Sequence, residues 1–419
     1  MNLSGITVRL AQADDLAQVV NLDRLAFAPL SSAAEIEREW YNGTLDVPDR
    51  AVFLAVEDQT GQSVGSYVQL NLDIWFQGQQ FPAMGIAAVA VAPHRRGRQV
   101  ARQMLTHALE SGRSQQVPIL ALYPFQHGFY RQLGWAWVGQ VHQYRVATRN
   151  LPIYPDRLKI LPFDSAQQTD GLKAAYAQAA TQHNGWLQRR DRQWEQILQP
   201  KPGREVYCYS EAGQLLGYVI LQFIHLEAQN PRLAIGVQEW VALNAAAYRG
   251  ILGFLGSLRD QFSTIVWNTF ANDPFPHLLR EQQTDMSLHE PSFGFGLVHR
   301  FGAIGGGWMW RLVDLHRAFG LRSIQPVEPF ALTFRVIDPR FGEQTIGVEF
   351  AAAQMHCSAK PAGSIVTLSV EQLTALFCGM RHAIDLYWTG ELELDGDPAL
   401  LNHLDRAWQA TPPFCWDFF

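Results

Sequence analysis

Val89-Ala90-Val91-Ala92-Pro93-His94-Arg95-Arg96-Gly97-Arg98-Gln99-Val100-Ala101-Arg102 joins a strand to a helix through a short basic loop that bears a glycine. The run Met84–Ala92 is almost wholly apolar, which predicts a strand covered on both faces. Pro93 ends it. From Val100 to Glu110 the apolar residues Val100, Met104, Leu105, Ala108 and Leu109 fall on one helical face. The first turn of such a helix presents N–H groups without intrahelical partners at the positive end of the helix dipole. Phosphate suits that place. Gly97 and Ala101 are small enough for close backbone approach, and Arg95, Arg96, Arg98 and Arg102 supply positive charge. A Walker loop is excluded because Gly-Lys-Ser/Thr is missing, and the dinucleotide pattern G-x-G-x-x-G is absent. The alternative is a solvated basic turn between a strand and a helix.

Working outward, Ile6–Leu10 reads as a strand, with Asp14 or Asp15 to cap the helix after it. Ala51–Val56 and Val64–Leu72 read as strands around the turn 58–62, Ile119–Tyr123 as a buried strand, and Gln126–Leu133 as a short helix closed by Gly134. The middle third repeats this order: Leu158–Leu161, Val206–Gln214, Gly217–Val219 and Trp240–Leu243 each follow their first-copy counterparts by about 150 residues, which predicts a duplicated fold, with a rhythm shared by any two α/β domains as the alternative. The final third differs. Gly302–Gly307 reads as a linker. Four strand-like runs follow, at 308–313, 332–337, 345–350 and 365–368, with helix starts at Ser369 and Asp397-Pro398. The pattern predicts two α/β domains, 1–150 and 151–302, and an α+β domain, 303–419, with helices on one face of an antiparallel sheet.

The composition suits packed cores, at 47% hydrophobic and 12% aromatic. The net charge is −6 and no long basic block occurs, so neither nucleic acid nor an anionic membrane is indicated as partner. Cys208, Cys357, Cys378 and Cys415 are far apart, which fits a reducing compartment and argues against a zinc ribbon or a disulfide framework. Met1–Asp15 shows no secretory leader, and no apolar run reaches membrane-spanning length. A cytoplasmic protein is predicted. The 13 histidines show no metal-binding spacing, so no metal is predicted.

Arg96-Gly97-Arg98-Gln99-Val100-Ala101 resembles the loop of motif A, R/Q-x-x-G-x-G/A, of the Gcn5-related N-acetyltransferase (GNAT) superfamily. Gln99 stands where a glycine is usual. The resemblance implies acetyl-CoA as cosubstrate, its pyrophosphate on the backbone amides of Arg96 to Ala101 and its pantetheine arm along Val89, Ala90 and Val91. Phe129-Tyr130-Arg131-Gln132-Leu133-Gly134-Trp135 resembles the segment after the next strand in these enzymes, which makes Tyr130 the proton donor to the departing thiolate. A half-buried core tyrosine is the alternative, and the position relative to motif A favours the functional reading. The second copy has Asn244-Ala245-Ala246-Ala247-Tyr248-Arg249-Gly250 in place of the loop, a degenerate repeat without a cofactor site.

Over its whole length the chain resembles the Eis (enhanced intracellular survival) acetyltransferases, notably at Asn272–Leu279, Trp308–Val313 and Phe377–Arg381. The resemblance implies two GNAT-like domains, a sterol-carrier-protein-like third domain and a homo-hexamer. It also implies acetyl transfer to small-molecule primary amines, aminoglycosides among them. The chain ends Phe414-Cys415-Trp416-Asp417-Phe418-Phe419, and so aromatic a tail docks rather than frays, each ring burying about 150–250 Å². In the family the terminal carboxylate is the general base, here that of Phe419. Asp417 is a rival acid. Trp40 matches an aromatic of the family's substrate pocket, with helix packing as the alternative. Glu35, Glu37 and Glu39 are candidates to attract polyamines, or form a solvated helix face. Direct transfer in a ternary complex follows, with N–H groups near Ile86 to Val89 polarising the thioester carbonyl. Two rivals stand beside it: an acetyltransferase of protein amines, and a lipid-binding or scaffolding protein.

Overall fold

The computed structural model describes residues 5–225, 233–282 and 301–419. Two compact units divide the chain. One comprises Met1–Val138, Trp308–Pro412 and Asp417–Phe419; the other comprises Gly139–Gly307 and Pro413–Trp416.

In the first unit a seven-stranded sheet runs in the order Ile6–Leu10, Arg50–Glu57, Ser63–Phe76, Gln79–Val91, Ile119–Leu122, Met309–Leu312, Ala136–Trp137. Neighbours are antiparallel except Gln79–Val91 and Ile119–Leu122, which are parallel. Gln79–Val91 is covered on both sides. Met84 and Ile86 pack with the helix Val100–Ser114, and Ala87, Ala88 and Ala90 pack with the helix Leu16–Phe27. The helix after the basic loop buries the five apolar residues anticipated for it and runs one turn further than Glu110. Asp15 works as a cap in an unforeseen way: it accepts from Gln12 N at 2.7 Å and pairs with Arg9.

Met309–Leu312 corrects the sequence reading. It does not open the third sheet but fills the first, with all four residues buried against Ile119–Leu122. Its apolar pattern asks for burial and says nothing of which sheet supplies it.

The third sheet, in the same unit, has the order Gln354–Ser358, Gly342–Ala352, Val327–Asp338, Ser364–Ser369, Leu392–Asp395. It is mixed rather than antiparallel, because Ser364–Ser369 runs parallel to Val327–Asp338. Two glycines explain this. A Cβ on Gly347 would lie 1.9 Å from the Lys360 carbonyl oxygen, and one on Gly363 would lie 2.1 Å from that of Ala331. Residues 359–363 therefore cross closely over the sheet, and the chain emerges beside the central strand without turning back. Ser369 and Gln372 form the capping box that starts Val370–Phe377, and Asp397 caps Ala399 N at 2.9 Å. Between sheet and helices the space is filled by Phe319, Phe334, Phe350, Phe377 and Trp408, with Phe334 stacked on Trp408 at 5.3 Å.

The second unit holds a sheet in the order Gly302–Gly306, Gln140–Ala147, Thr264–Thr269, Ala234–Ala242, Gln214–Ile224, Arg204–Glu211, Ile160–Pro162. Four antiparallel strands followed by one parallel strand repeat the first sheet's plan. Gly302–Gly306, read as a linker, is an edge strand on Gln140–Ala147. A glycine run carries no side-chain period to read, yet it suits this edge: a Cβ on Gly302 would fall 2.1 Å from the Gln143 carbonyl oxygen.

Candidate active site

Gln79–Val91 carries a bulge. Its register to Ser63–Phe76 slips between Ser66↔Ala90 and Val68↔Ala87, and Ala88 has φ +46°. The parallel ladder with Ile119–Leu122 stops at Ile86↔Leu122. Beyond that point one strand continues to Val91 while the other ends, so a notch opens with the backbone of 87–91 on its wall. Val89 and Val91 are half-buried and Ala90 is buried. The N–H groups expected to face a thioester lie in this bulged stretch.

The strand leads through the 3-10 turn Pro93–Arg95 to Gly97 at φ +77° and Gln99 at φ +62°. Gln99 thus holds a left-handed conformation, which accounts for the glycine usual at that position. Its side chain makes no capping bond, leaving the first turn of Val100–Ser114 without one. Val100 points into the core, so only its backbone faces the loop. Arg96, Arg98 and Arg102 are exposed and pair with no carboxylate among the described residues. Arg95 is not part of this set, because it is held by Glu57 at 2.6 Å. The second copy contrasts at each point. Two residues separate the strand ending at Ala242 from the helix beginning at Ala245. Asn244 accepts from Ala247 N at 2.8 Å, and Arg249 is paired with Asp156 at 2.9 Å.

The tail reaches the notch. Gly85 lies against the Phe419 ring, and a Cβ there would sit 3.0 Å from it and 2.7 Å from Leu72. Tyr123, just past Ile119–Leu122, donates to the Asp417 carbonyl oxygen at 2.8 Å. Its ring is 5.5 Å from that of Phe419, and Trp308 is 6.3 Å from Phe419. Phe418 turns outward, 84% exposed.

Tyr130 sits on the five-residue helix His127–Arg131 and is 3% exposed, ringed by Phe125, Phe129 and Trp135. Burial pushes its phenol above the ordinary tyrosine range, so it stays protonated at neutral pH. Trp40 lies in the π-helical turn Glu37–Tyr41, 37% exposed, 6.2 Å from the Phe27 ring. Glu35 is committed elsewhere: it forms a capping box with Ser32. Glu37 is half-buried and Glu39 is exposed.

Asp23 and Arg50 were not anticipated. Tyr41 donates to the buried Asp23, Ser66 donates to it at 3.4 Å, and the Arg50 guanidinium lies 5.0 Å over the Tyr41 ring. Desolvation raises the Asp23 carboxyl to about 6. The available signal was an acid beside Leu22 on the buried face of Leu16–Phe27. Among the described residues, no helix is long and apolar enough to cross a membrane.

Residues 7–138 and 185–312 match acetyltransferase (GNAT) domain families, and residues 315–416 match a sterol carrier protein domain family. The chain is an N-acetyltransferase with two GNAT domains and a sterol-carrier-protein-like domain after them. Within that class, its likeness is to the Eis acetyltransferases. It is 23% identical to the N-acetyltransferase Eis of Mycobacterium tuberculosis (strain ATCC 25177 / H37Ra), over 88% of this chain and 89% of that protein. Its fold is also that of Eis1 from Mycobacterium abscessus (TM-score 0.75, 19% identity, 99% of this chain and 100% of that one). A GCN5-related N-acetyltransferase from Anabaena variabilis ATCC 29413 superposes with a TM-score of 0.83, at 21% identity over 99% and 100% of the two chains.

Proposed function

We propose that this chain moves the acetyl group of acetyl-CoA directly onto a primary amine of a small polyamine, of the aminoglycoside type, in a ternary complex. The observation that carries the reading is the notch at Gly85–Val91, with an uncapped helix start after it and the Phe419 ring against Gly85. The left-handed Gly97 and Gln99, the exposed Arg96, Arg98 and Arg102, and the bare first turn fit a pyrophosphate. Acetyl-CoA supplies the activated acyl group. Arg96, Gly97, Arg98, Gln99, Val100 and Ala101 hold its phosphates, and Val89, Ala90 and Val91 line its arm. N–H groups of the bulge polarise the thioester carbonyl. The Phe419 carboxylate takes the proton that the amine must lose before it attacks, and Tyr130 gives one to the leaving thiolate. Trp40 walls the acceptor side. The family resemblance extends the reading to a cytoplasmic homo-hexamer that needs no metal.

The lipid-binding alternative is disfavoured by the aromatic filling of the third domain, whose Phe334 and Trp408 occupy the space between sheet and helices. The test is CoA release from acetyl-CoA with a panel of aminoglycosides, polyamines and lysine peptides. Wild type is run beside Tyr130→Phe and a form with one residue added after Phe419. Turnover with an aminoglycoside, lost in both variants, supports the reading. Turnover that survives the added residue removes the carboxylate base. A preference for peptides moves the acceptor to protein amines. No turnover and no CoA binding overturns the proposal.

A further inference from the structure

Arg311 lies in the inserted strand Met309–Leu312 and is 0% exposed. Its Nη2 donates to both carboxylate oxygens of Asp338 at 2.8 Å, and its Nη1 donates to the Leu312 carbonyl. Its Nε donates to the Leu133 carbonyl at 3.1 Å. Asp338 is itself fixed, accepting from Arg340 N at 2.8 Å and Phe341 N at 3.0 Å. Leu133 closes the helix that carries Tyr130: its N–H returns to the Tyr130 carbonyl at 2.9 Å, and Trp135 N–H reaches the same oxygen at 3.3 Å. Gly134, at φ +82°, leaves room for the guanidinium. A Cβ there would lie 2.9 Å from Nε and 2.7 Å from Val370 Cγ1.

A five-residue helix has too few internal hydrogen bonds to hold its own orientation. A buried ion pair, for its part, is poor evidence of a stabilising role, since apolar side chains of similar volume serve a core as well. What a rigid guanidinium fork adds is direction, because its donors are fixed relative to one another. We propose that Arg311, locked by Asp338, is the positioning residue for Tyr130, setting the helix so that the phenol meets the leaving sulfur. This rests on the reading of Tyr130 as the proton donor.

The experiment replaces the pair with apolar residues, Arg311→Met with Asp338→Leu, each background with and without Tyr130→Phe. Thermal melting, kcat and KM for acetyl-CoA are measured with the best acceptor of the panel. The expected double variant melts cooperatively, keeps KM within about twofold and loses kcat by about tenfold or more. Tyr130→Phe then costs far less in that background than in wild type. Wild-type kcat in the folded double variant overturns the proposal, as does a full-sized Tyr130→Phe effect within it. If the double variant does not fold, Arg311→Lys carries the same comparison, keeping a cation for Asp338 but lacking the Nε donor. If Tyr130→Phe changes nothing in wild type, the proton-donor reading fails and the positioning role with it; a full Tyr130→Phe effect with an inert Arg311 sinks the positioning role alone.

Discussion

Tyr130 and Asp23 are both withdrawn from water, and in both burial favours the protonated form. For Tyr130 that is what a general acid needs. Tyr130→Phe is expected to lower kcat by about 10²-fold or more with little change in acetyl-CoA KM, read by steady-state kinetics. Because its phenol lies above the ordinary range, kcat should show no falling alkaline limb below about pH 10. Asp23 bears on stability. Its folded value, about 6, exceeds its ordinary 3.8. The folded chain therefore binds the extra proton between these values, and the associated stability is present below pH 4 and lost as pH rises through 6. Asp23→Asn keeps an acceptor for Tyr41 and cannot ionise. Thermal melts from pH 4 to 8 should lose this dependence, with a gain of about 1–3 kcal/mol at pH 8. Tyr130 was singled out from the sequence because its segment resembles a family pattern. Asp23 was not, because its hydrogen-bond donor Tyr41 lies 18 residues away and nothing local announces the pairing.

At the scale of elements, the loop between strand and helix was readable because its chemistry is contiguous: small residues, arginines and a helix start within 14 positions. The conformations then refine the reading. Gly97→Val places a β-branched residue at φ +77°, where L side chains are strained. It should raise acetyl-CoA KM about tenfold, whereas Gln99→Gly, which removes strain at φ +62°, should leave KM within about threefold. Parallel titrations of binding would separate the two. The second copy's helix start differs in what meets it: Asn244 supplies a cap and Asp156 takes the arginine. Gly302–Gly306 was misread for the opposite reason, since pairing there is backbone to backbone and leaves no mark in side chains.

At the scale of the molecule, the last residues return to the first domain's notch through Gly85. Gly85→Val should push the Phe419 ring out and cut kcat by about 10²-fold or more while acetyl-CoA binding changes little; because its Cβ also meets Leu72 at 2.7 Å, the melting temperature should fall as well. Equal loss of kcat and of CoA binding would mean that the strand itself, not the tail, had been disturbed. Met309–Leu312 makes a similar point about assembly. A strand placed late in the chain completes an early sheet, and its Arg311 reaches the turn after Tyr130.

By itself the sequence determined most strands and helices of the first domain, the repeat of one plan, the basic loop between strand and helix and the aromatic character of the tail. Each of these is written in neighbouring residues, as a period, a cap or a cluster. Only the tertiary structure decided which sheet receives Met309–Leu312, that Ser364–Ser369 runs parallel to the central strand, what Phe419 rests on and that burial raises the proton affinity of Asp23. Those outcomes depend on partners as far apart as Tyr123 and Asp417, 294 positions along the chain. A buried strand looks the same whichever sheet takes it, and a carboxylate's proton affinity follows from what surrounds it rather than from what adjoins it.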